Sequence, residues 1–151
     1  MSAPPVLTEL KLSAEMKDAI NKAFEVQKPI VVAYVDENHL PQISYRGSTQ
    51  AYSDNQLAIW VRNPEGRLLE SIAQNPAMAL MYGNFDPAGR AFMTLRGRGH
   101  VDSSETVRGK VYDSAHPFER DKDKDRKGIA IVIDLDSVDG FFGGAMLKMR
   151  R

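Results

Sequence analysis

A chain of 151 residues is long enough for one domain whose core needs no covalent staples. Lys plus Arg and Asp plus Glu stand at 20 each, so the formal net charge is zero and the basic excess of a general nucleic-acid binder is missing. The absence of cysteine excludes disulfides, thiolate metal sites and cysteine nucleophiles, and no apolar run approaches the about 20 residues that span a bilayer.

The opening stretch MSAPPVLTELKLSAEM lacks a basic segment followed by an apolar one, so no signal peptide is expected and the chain reads as cytoplasmic. LKLSAEMKDAINKAFEVQ then reads as an amphipathic helix. Ser13 is its N-cap, Leu12, Met16, Ala19, Ile20, Ala23 and Phe24 form its apolar stripe, and Pro29 ends it. A β-branched run (30–35) predicts a strand and DENHLP (36–41) a turn. QISYRGSTQAYS (42–53) predicts a second strand, and LAIWV (57–61) a third. Strands joined by such short turns predict an antiparallel meander. Asn63 as cap and Pro64 at the first helical position predict a second helix, with Leu68, Leu69, Ile72 and Ala73 buried and Asn75-Pro76 as its stop.

AMALMYGNF (77–85) predicts a fourth strand, DPAG (86–89) a turn, and RAFMTLRGRGHV (90–101) a long fifth strand. SSETVRGKVYDSA predicts a short helix despite Gly109, and ERDKDKDRK (119–127) a solvated loop of mixed charge. IAIVIDLDSVDGF is the last strand and GGAMLKMRR a tail. Neither repeats nor a second domain are evident, so residues 1–151 read as one unit. Strands dominate, which predicts a mainly β fold with packed helices: a small antiparallel barrel, closed or partly closed.

Most chemistry-bearing motifs are absent or have plain readings. RGRGH (96–100) lacks the third glycine and the following helix of a dinucleotide loop, so its glycines mark a bulge or bend within a strand. His39, His100 and His116 show no metal-ligand spacing. Ser48 and Thr49 have no identifiable base, and Trp60 reads as core. No catalytic constellation stands out.

The arginines carry the signal. A helix N-terminus is partly positive and usually attracts acids. In VRNPEGRLLE, Glu65 is the only acid of the opening turn, and Arg62 and Arg67 flank it. Such an excess of positive charge calls for an anion, most simply a cofactor phosphate. Arg46 interrupts the strand ISYRGST and supplies a third planar fork of donors that matches phosphate oxygens. Gly66 lets backbone approach the anion closely, and free amides of the helix add to the grip. A phosphate-anchored ligand lying along a β-surface is the expectation.

With LPQISYRGS, LAIWVRNPEGRLLESIAQNPAMAL, RAFMTLRGRGHV and SVDGFFGG in this order, the chain resembles the pyridoxamine 5′-phosphate oxidase-like, FMN-binding split-barrel family over about residues 13–146. The resemblance implies a six-stranded antiparallel split β-barrel that forms a homodimer, with FMN at the interface. It implies that Arg46 binds the flavin phosphate, that Gly47, Ser48 and Thr49 line the isoalloxazine ring, and that Val61 and Arg62 meet the ring and ribityl chain. Arg67 matches the first of two adjacent basic residues that grip the phosphate, and Leu68 stands where the family has the second. The C-terminal Trp and Arg that help bind pyridoxamine phosphate have no match in DGFFGGAMLKMRR, so that substrate is not expected.

The turn before Arg67 and the terminal VxGxxxGxM pattern are also similar to a branch that binds a deazaflavin coenzyme, in which a lysine often stands where Leu68 lies. FMN is therefore the expected cofactor and the deazaflavin the alternative. The implied function is oxidation or reduction of a small molecule or electron donor, with the ring carrying the electrons and the protein orienting and burying it. The rival is a non-catalytic flavin-binding stress or carrier protein.

Overall fold

Strands dominate the computed structural model, which describes residues 3–151; some alternate apolar and polar residues and others are apolar runs buried on both faces. The elements run β1 (Val6–Glu9), α1 (Ala14–Lys22), β2 (Val31–Val35), β3 (Pro41–Tyr45), β4 (Gln50–Ser53), β5 (Gln56–Val61), α2 (Arg67–Gln74) and β6 (Ala77–Asn84). Then follow β7 (Ala91–Asp102), α3 (Glu105–Ser114), α4 (Pro117–Arg120), β8 (Ile129–Phe142) and β9 (Ala145–Arg150). In β7, Ala91, Met93 and Leu95 turn inward while Phe92, Arg96, Arg98 and His100 face out. Ser13 caps α1 as expected, its hydroxyl accepting the Met16 amide at 3.1 Å.

All these strands join one sheet in the order β1-β9-β8-β7-β6-β2-β3, with β5 paired to β8 and β4 to β5. Every ladder is antiparallel except the parallel pair of β1 with β9. β8 is the hub. One of its edges carries β7, while the other is divided between β5 at 129–134 and β9 at 137–142. The sheet forks there, and its inner face packs on α1 and α2. Leu12, Met16, Ile20, Leu68 and Ile72 meet Leu57, Ile59, Met93, Leu95, Ile131 and Ile133 in the main core. Full burial of such a side chain stabilises by roughly 1.5–3 kcal/mol. A smaller cluster under α3 holds Trp60, which is core, edge-on to Tyr112 at 5.2 Å.

Several expectations are corrected. The described residues form nine strands in a mixed sheet where six antiparallel ones were expected. The stretch 42–53 is two strands, because Arg46–Thr49 close a turn: the Thr49 amide and hydroxyl both donate to Arg46 O, at 3.2 and 2.8 Å. β3 pairs with β2 and β4 with β5, so the simple meander is broken at this turn. The C-terminal tail is β9, reached through Gly143 (φ 58°) and Gly144 (φ 79°). Two successive positive φ values suit a two-residue hairpin turn. β1 had no signal in the sequence.

The second helix starts at Arg67, with Gly66 as N-cap. Asn63 folds the preceding residues into a turn instead, its Oδ1 accepting the Glu65 amide at 3.0 Å and its carbonyl the Gly66 amide at 3.1 Å. Ala73 is exposed and Ser71 takes its place on the buried face. Part of the 119–127 loop is helical, in α4 and a 3-10 turn at Asp121–Asp123. Asp123 accepts the Trp60 indole N–H at 3.0 Å and the Lys127 and Gly128 amides at 3.0 and 2.8 Å. Burial pushes its carboxyl pKa up, but these hydrogen bonds outweigh it and hold it below the usual carboxylate value. The bulge expected among the strand glycines is present, where the β7–β8 register shifts between Arg96 and Gly97. No helix among the described residues is long and apolar enough to cross a membrane.

Candidate functional site

The turn at Arg46–Thr49 does more than divide two strands. Its Arg46 amide donates to Ile30 O at 2.9 Å, which ties the turn to the start of β2. The Ser48 hydroxyl donates to Trp60 O at 2.9 Å and accepts the Trp60 amide at 3.0 Å, which ties it to the end of β5. β5 in turn delivers the chain to Arg62 and the start of α2. Residues far apart in sequence thereby surround one cavity of about 410 Å³, lined by Tyr34, Arg46, Val61, Arg62, Asn63, Gly66, Arg67 and Leu68.

The cavity is cationic and unneutralised. Among the described residues none of Arg46, Arg62 and Arg67 forms an ion pair, nor do Arg90 and Arg120, whereas Arg96, Arg98, Arg108, Arg126, Arg150 and Arg151 do. Arg46 Nε is buried and has no hydrogen-bond partner in the protein. Such a donor is costly to leave unmet and marks a place where an acceptor from outside the chain belongs. Gly66 contributes no side-chain cap to α2, so the first-turn amides lack a side-chain acceptor and add their positive end of the helix dipole.

Asp36, the acid whose carboxyl responds to Arg67, makes no ion pair with it. Its oxygens accept from the Asn38 and Leu40 amides at 2.8 and 3.0 Å and from Gln42 Nε2 at 2.8 Å, fixing the β2–β3 turn. The Leu40 amide is the largest cause of its lowered pKa; burial opposes the shift, and Gln42, Asn38 and finally the charge of Arg67 add to it. The arrangement is suited to hold an anion with two or three oxygens by planar forks and backbone amides.

Of the residues singled out from the sequence, Arg46, Val61, Arg62, Gly66, Arg67 and Leu68 meet at this cavity. Gly47, Ser48 and Thr49 lie on the same turn but do not line it. Ser48 and Thr49 are buried with their hydroxyls engaged, and Gly47 packs toward Phe24 and Glu119. Tyr34 and Asn63 are lining residues that the reading of the ligand site lacked. Tyr34 sits at an inward position of a strand, where a tyrosine reads as core.

Leu68 touches the cavity but belongs to the main core and is 3% exposed. Leu68→Lys is therefore expected to destabilise the ligand-free protein by about 2–4 kcal/mol, since it removes packed apolar surface and buries an ammonium. Thermal melting measures this. An unlowered midpoint would place the side chain in the cavity.

No protein-family model matches the chain, and no curated protein matches it either. Solved structures do. HupZ of Group A Streptococcus superposes with a TM-score of 0.65 at 18% identity, covering 89% of this chain and 97% of that one. A Clostridium acetobutylicum protein related to general stress protein 26, of the pyridoxinephosphate oxidase family, gives 0.62 at 12% identity over 91% and 96%. An FMN-binding protein from Syntrophomonas wolfei gives 0.65 at 7% identity over 83% and 86%. An F420 reductase shares the fold more distantly, at 0.53 and 18% identity over 74% and 89%. A member of the pyridoxinephosphate oxidase family and an FMN-binding protein are thus among the neighbours, and this chain has the pyridoxamine 5′-phosphate oxidase-like fold.

Proposed function

We propose, taking the pyridoxamine 5′-phosphate oxidase-like fold as the premise, that the chain is a single FMN-binding domain. It works as a cytoplasmic, homodimeric oxidoreductase of a small molecule. The observation that carries the reading is the cavity of three unpaired arginines with the buried, unpartnered Arg46 Nε at its wall. In it Arg46, Arg62, Arg67 and the first amides of α2 would hold the phosphate. Gly47, Ser48 and Thr49 do not line this cavity, so any contact they would make with the ring would come from the adjoining turn. A bound flavin supplies the transfer of a hydride or of electrons. The chain's own part is to bind, orient and shield the ring, which accords with a site built from arginines and backbone rather than from an acid–base pair.

FMN is preferred over a deazaflavin coenzyme because Leu68, at the position of that branch's lysine, is packed in the core and brings no charge. A homodimer is supported by the outer face of β3, β2 and β6. There Tyr45 and Met81 both oppose Val31, and Ile43 opposes Ala33. Ile43, Tyr45 and Met81 are 73%, 70% and 54% exposed, an apolar surface of the kind that marks an interface.

The test is the absorption spectrum and mass of the bound molecule, with turnover of nicotinamide and quinone partners. FMN at one per chain supports the reading, and a deazaflavin or no affinity for FMN overturns it. FMN bound without turnover on any partner favours the carrier protein. Sedimentation at micromolar concentration is expected to show a species of twice the chain mass, and a flavin-loaded monomer would refute the dimer.

A further inference from the structure

Among the described residues, Arg46, Arg62, Arg67 and Arg90 are the arginines that make neither an ion pair nor a side-chain hydrogen bond. Arg120, also outside the ion pairs, donates to Asp113 O at 2.8 Å. Arg46, Arg62 and Arg67 line the cavity of the flavin reading. Arg90 lines a separate cavity of about 490 Å³ that has no residue in common with it.

This cavity lies between α1, the β6–β7 connection and the β8–β9 hairpin. Ala19, Pro87, Ala88, Phe141 and Phe142 give it apolar walls, and Phe142 packs against the main core behind them. The loop that leads to Arg90 is braced. Asn84 Nδ2 donates to Gly89 O at 2.9 Å, and Asn84 Oδ1 accepts the Asp86 amide at 3.0 Å. The Gly89 amide closes the turn on Asp86 O at 3.0 Å. Arg90 is thus presented from a backbone held in place.

No acid lines the cavity. Asp86, on the adjoining loop, is held by Lys28 Nζ at 3.2 Å. Along the strand that follows, by contrast, Arg96 and Arg98 face out onto Asp139 and Asp136. Tyr82 lines the same space and is buried. Burial pushes its phenol pKa above the ordinary value, against the charge of Lys28 and a hydrogen bond with Asn84, so at neutral pH the hydroxyl keeps its proton. A guanidinium fork and a phenol beside apolar walls suit a carboxylate carried on an apolar body.

We propose that this cavity binds a small monocarboxylate, its carboxylate on Arg90 and Tyr82 and its apolar body against Ala19 and Phe142. The site goes beyond the flavin reading and does not depend on it.

Calorimetric titration of phenylacetate into the full chain tests the proposal, with FMN present and absent, alongside phenylacetamide and acetate. Saturable binding of one phenylacetate per chain is expected. Arg90→Gln should weaken it about ten-fold or more, the loss of a charge-assisted pair. Phenylacetamide keeps the ring without the charge and should bind the wild type as weakly as phenylacetate binds the variant. Acetate, without the apolar body, should also bind about ten-fold more weakly. Arg90 is exposed and bonded to nothing, so the variant should melt as the wild type does and bind FMN equally. Equal phenylacetate binding by Arg90→Gln and wild type would overturn the proposal, as would equal binding of the amide or of acetate. Displacement of phenylacetate by FMN would overturn it too, by moving the carboxylate to the arginine-lined cavity. Phenylacetate binding by a chain that takes up no FMN would keep this site and remove the flavin reading. FMN binding without phenylacetate binding would do the reverse.

Discussion

Arg46→Met is expected to weaken FMN binding by about 1.5–3 kcal/mol, roughly 10- to 150-fold, the range for a hydrogen bond to a charged group. Riboflavin, without the phosphate, should lose much less. The same substitution should leave the ligand-free protein at least as stable as the wild type. Arg46 Nε is buried without a partner, so its removal takes away an unmet donor, and methionine keeps much of the apolar stem that packs there. The backbone bonds of the turn, from Arg46 N to Ile30 O and from Thr49 to Arg46 O, do not depend on the guanidinium. FMN and riboflavin titrations with apo-state melting measure both effects. Equal losses for both ligands would place Arg46 away from the phosphate, and a large fall in apo stability would make it a structural residue.

Gly97→Ala is expected to destabilise by about 2–3 kcal/mol. Gly97 sits at the β7–β8 bulge, where an added Cβ would collide with the Asp134 carbonyl and lie 3.0 Å from Leu135 Cα. Both obstacles are backbone of the hub strand, so the clash cannot be relieved by rotating a side chain. Gly109 in α3 provides the contrast, because a Cβ there meets nothing within 4 Å. Gly109→Ala should stabilise by about 0.5–1 kcal/mol through lower chain entropy and better helix propensity. Urea unfolding of the two variants separates them. A neutral Gly97→Ala would mean that the bulge can relax.

Local patterns carried much of this fold because their physics is local. The stripe of α1 with its Ser13 cap, the strands β2 and β7 and the glycine bulge depend on a few neighbouring residues. Charge was legible for the same reason. Arg62 and Arg67 stand five apart around the helix start and are visible without coordinates, although the helix begins at Arg67 and so takes Glu70, not Glu65, as the acid of its first turn.

Pairing is a different matter, since it compares free energies of segments distant in sequence. AMLKMR alternates cleanly, yet it became a strand only because β8 is long enough to offer it an edge beyond β5, and β1 then found β9. ISYRGSTQ alternates too, but the Arg46–Thr49 bonds turn the chain from β2 toward β5. Asp123 looked like one solvated acid among many until the fold set the Trp60 indole N–H against it. The sequence by itself determined the element types, the balanced charge and the arginines on offer. Only the tertiary structure decided that Arg46 meets the start of α2, that Leu68 packs into the core, and that Phe24 leaves its helix stripe to stack on Phe118. Each of those outcomes depends on strand registers and helix ends set by contacts across the whole sheet.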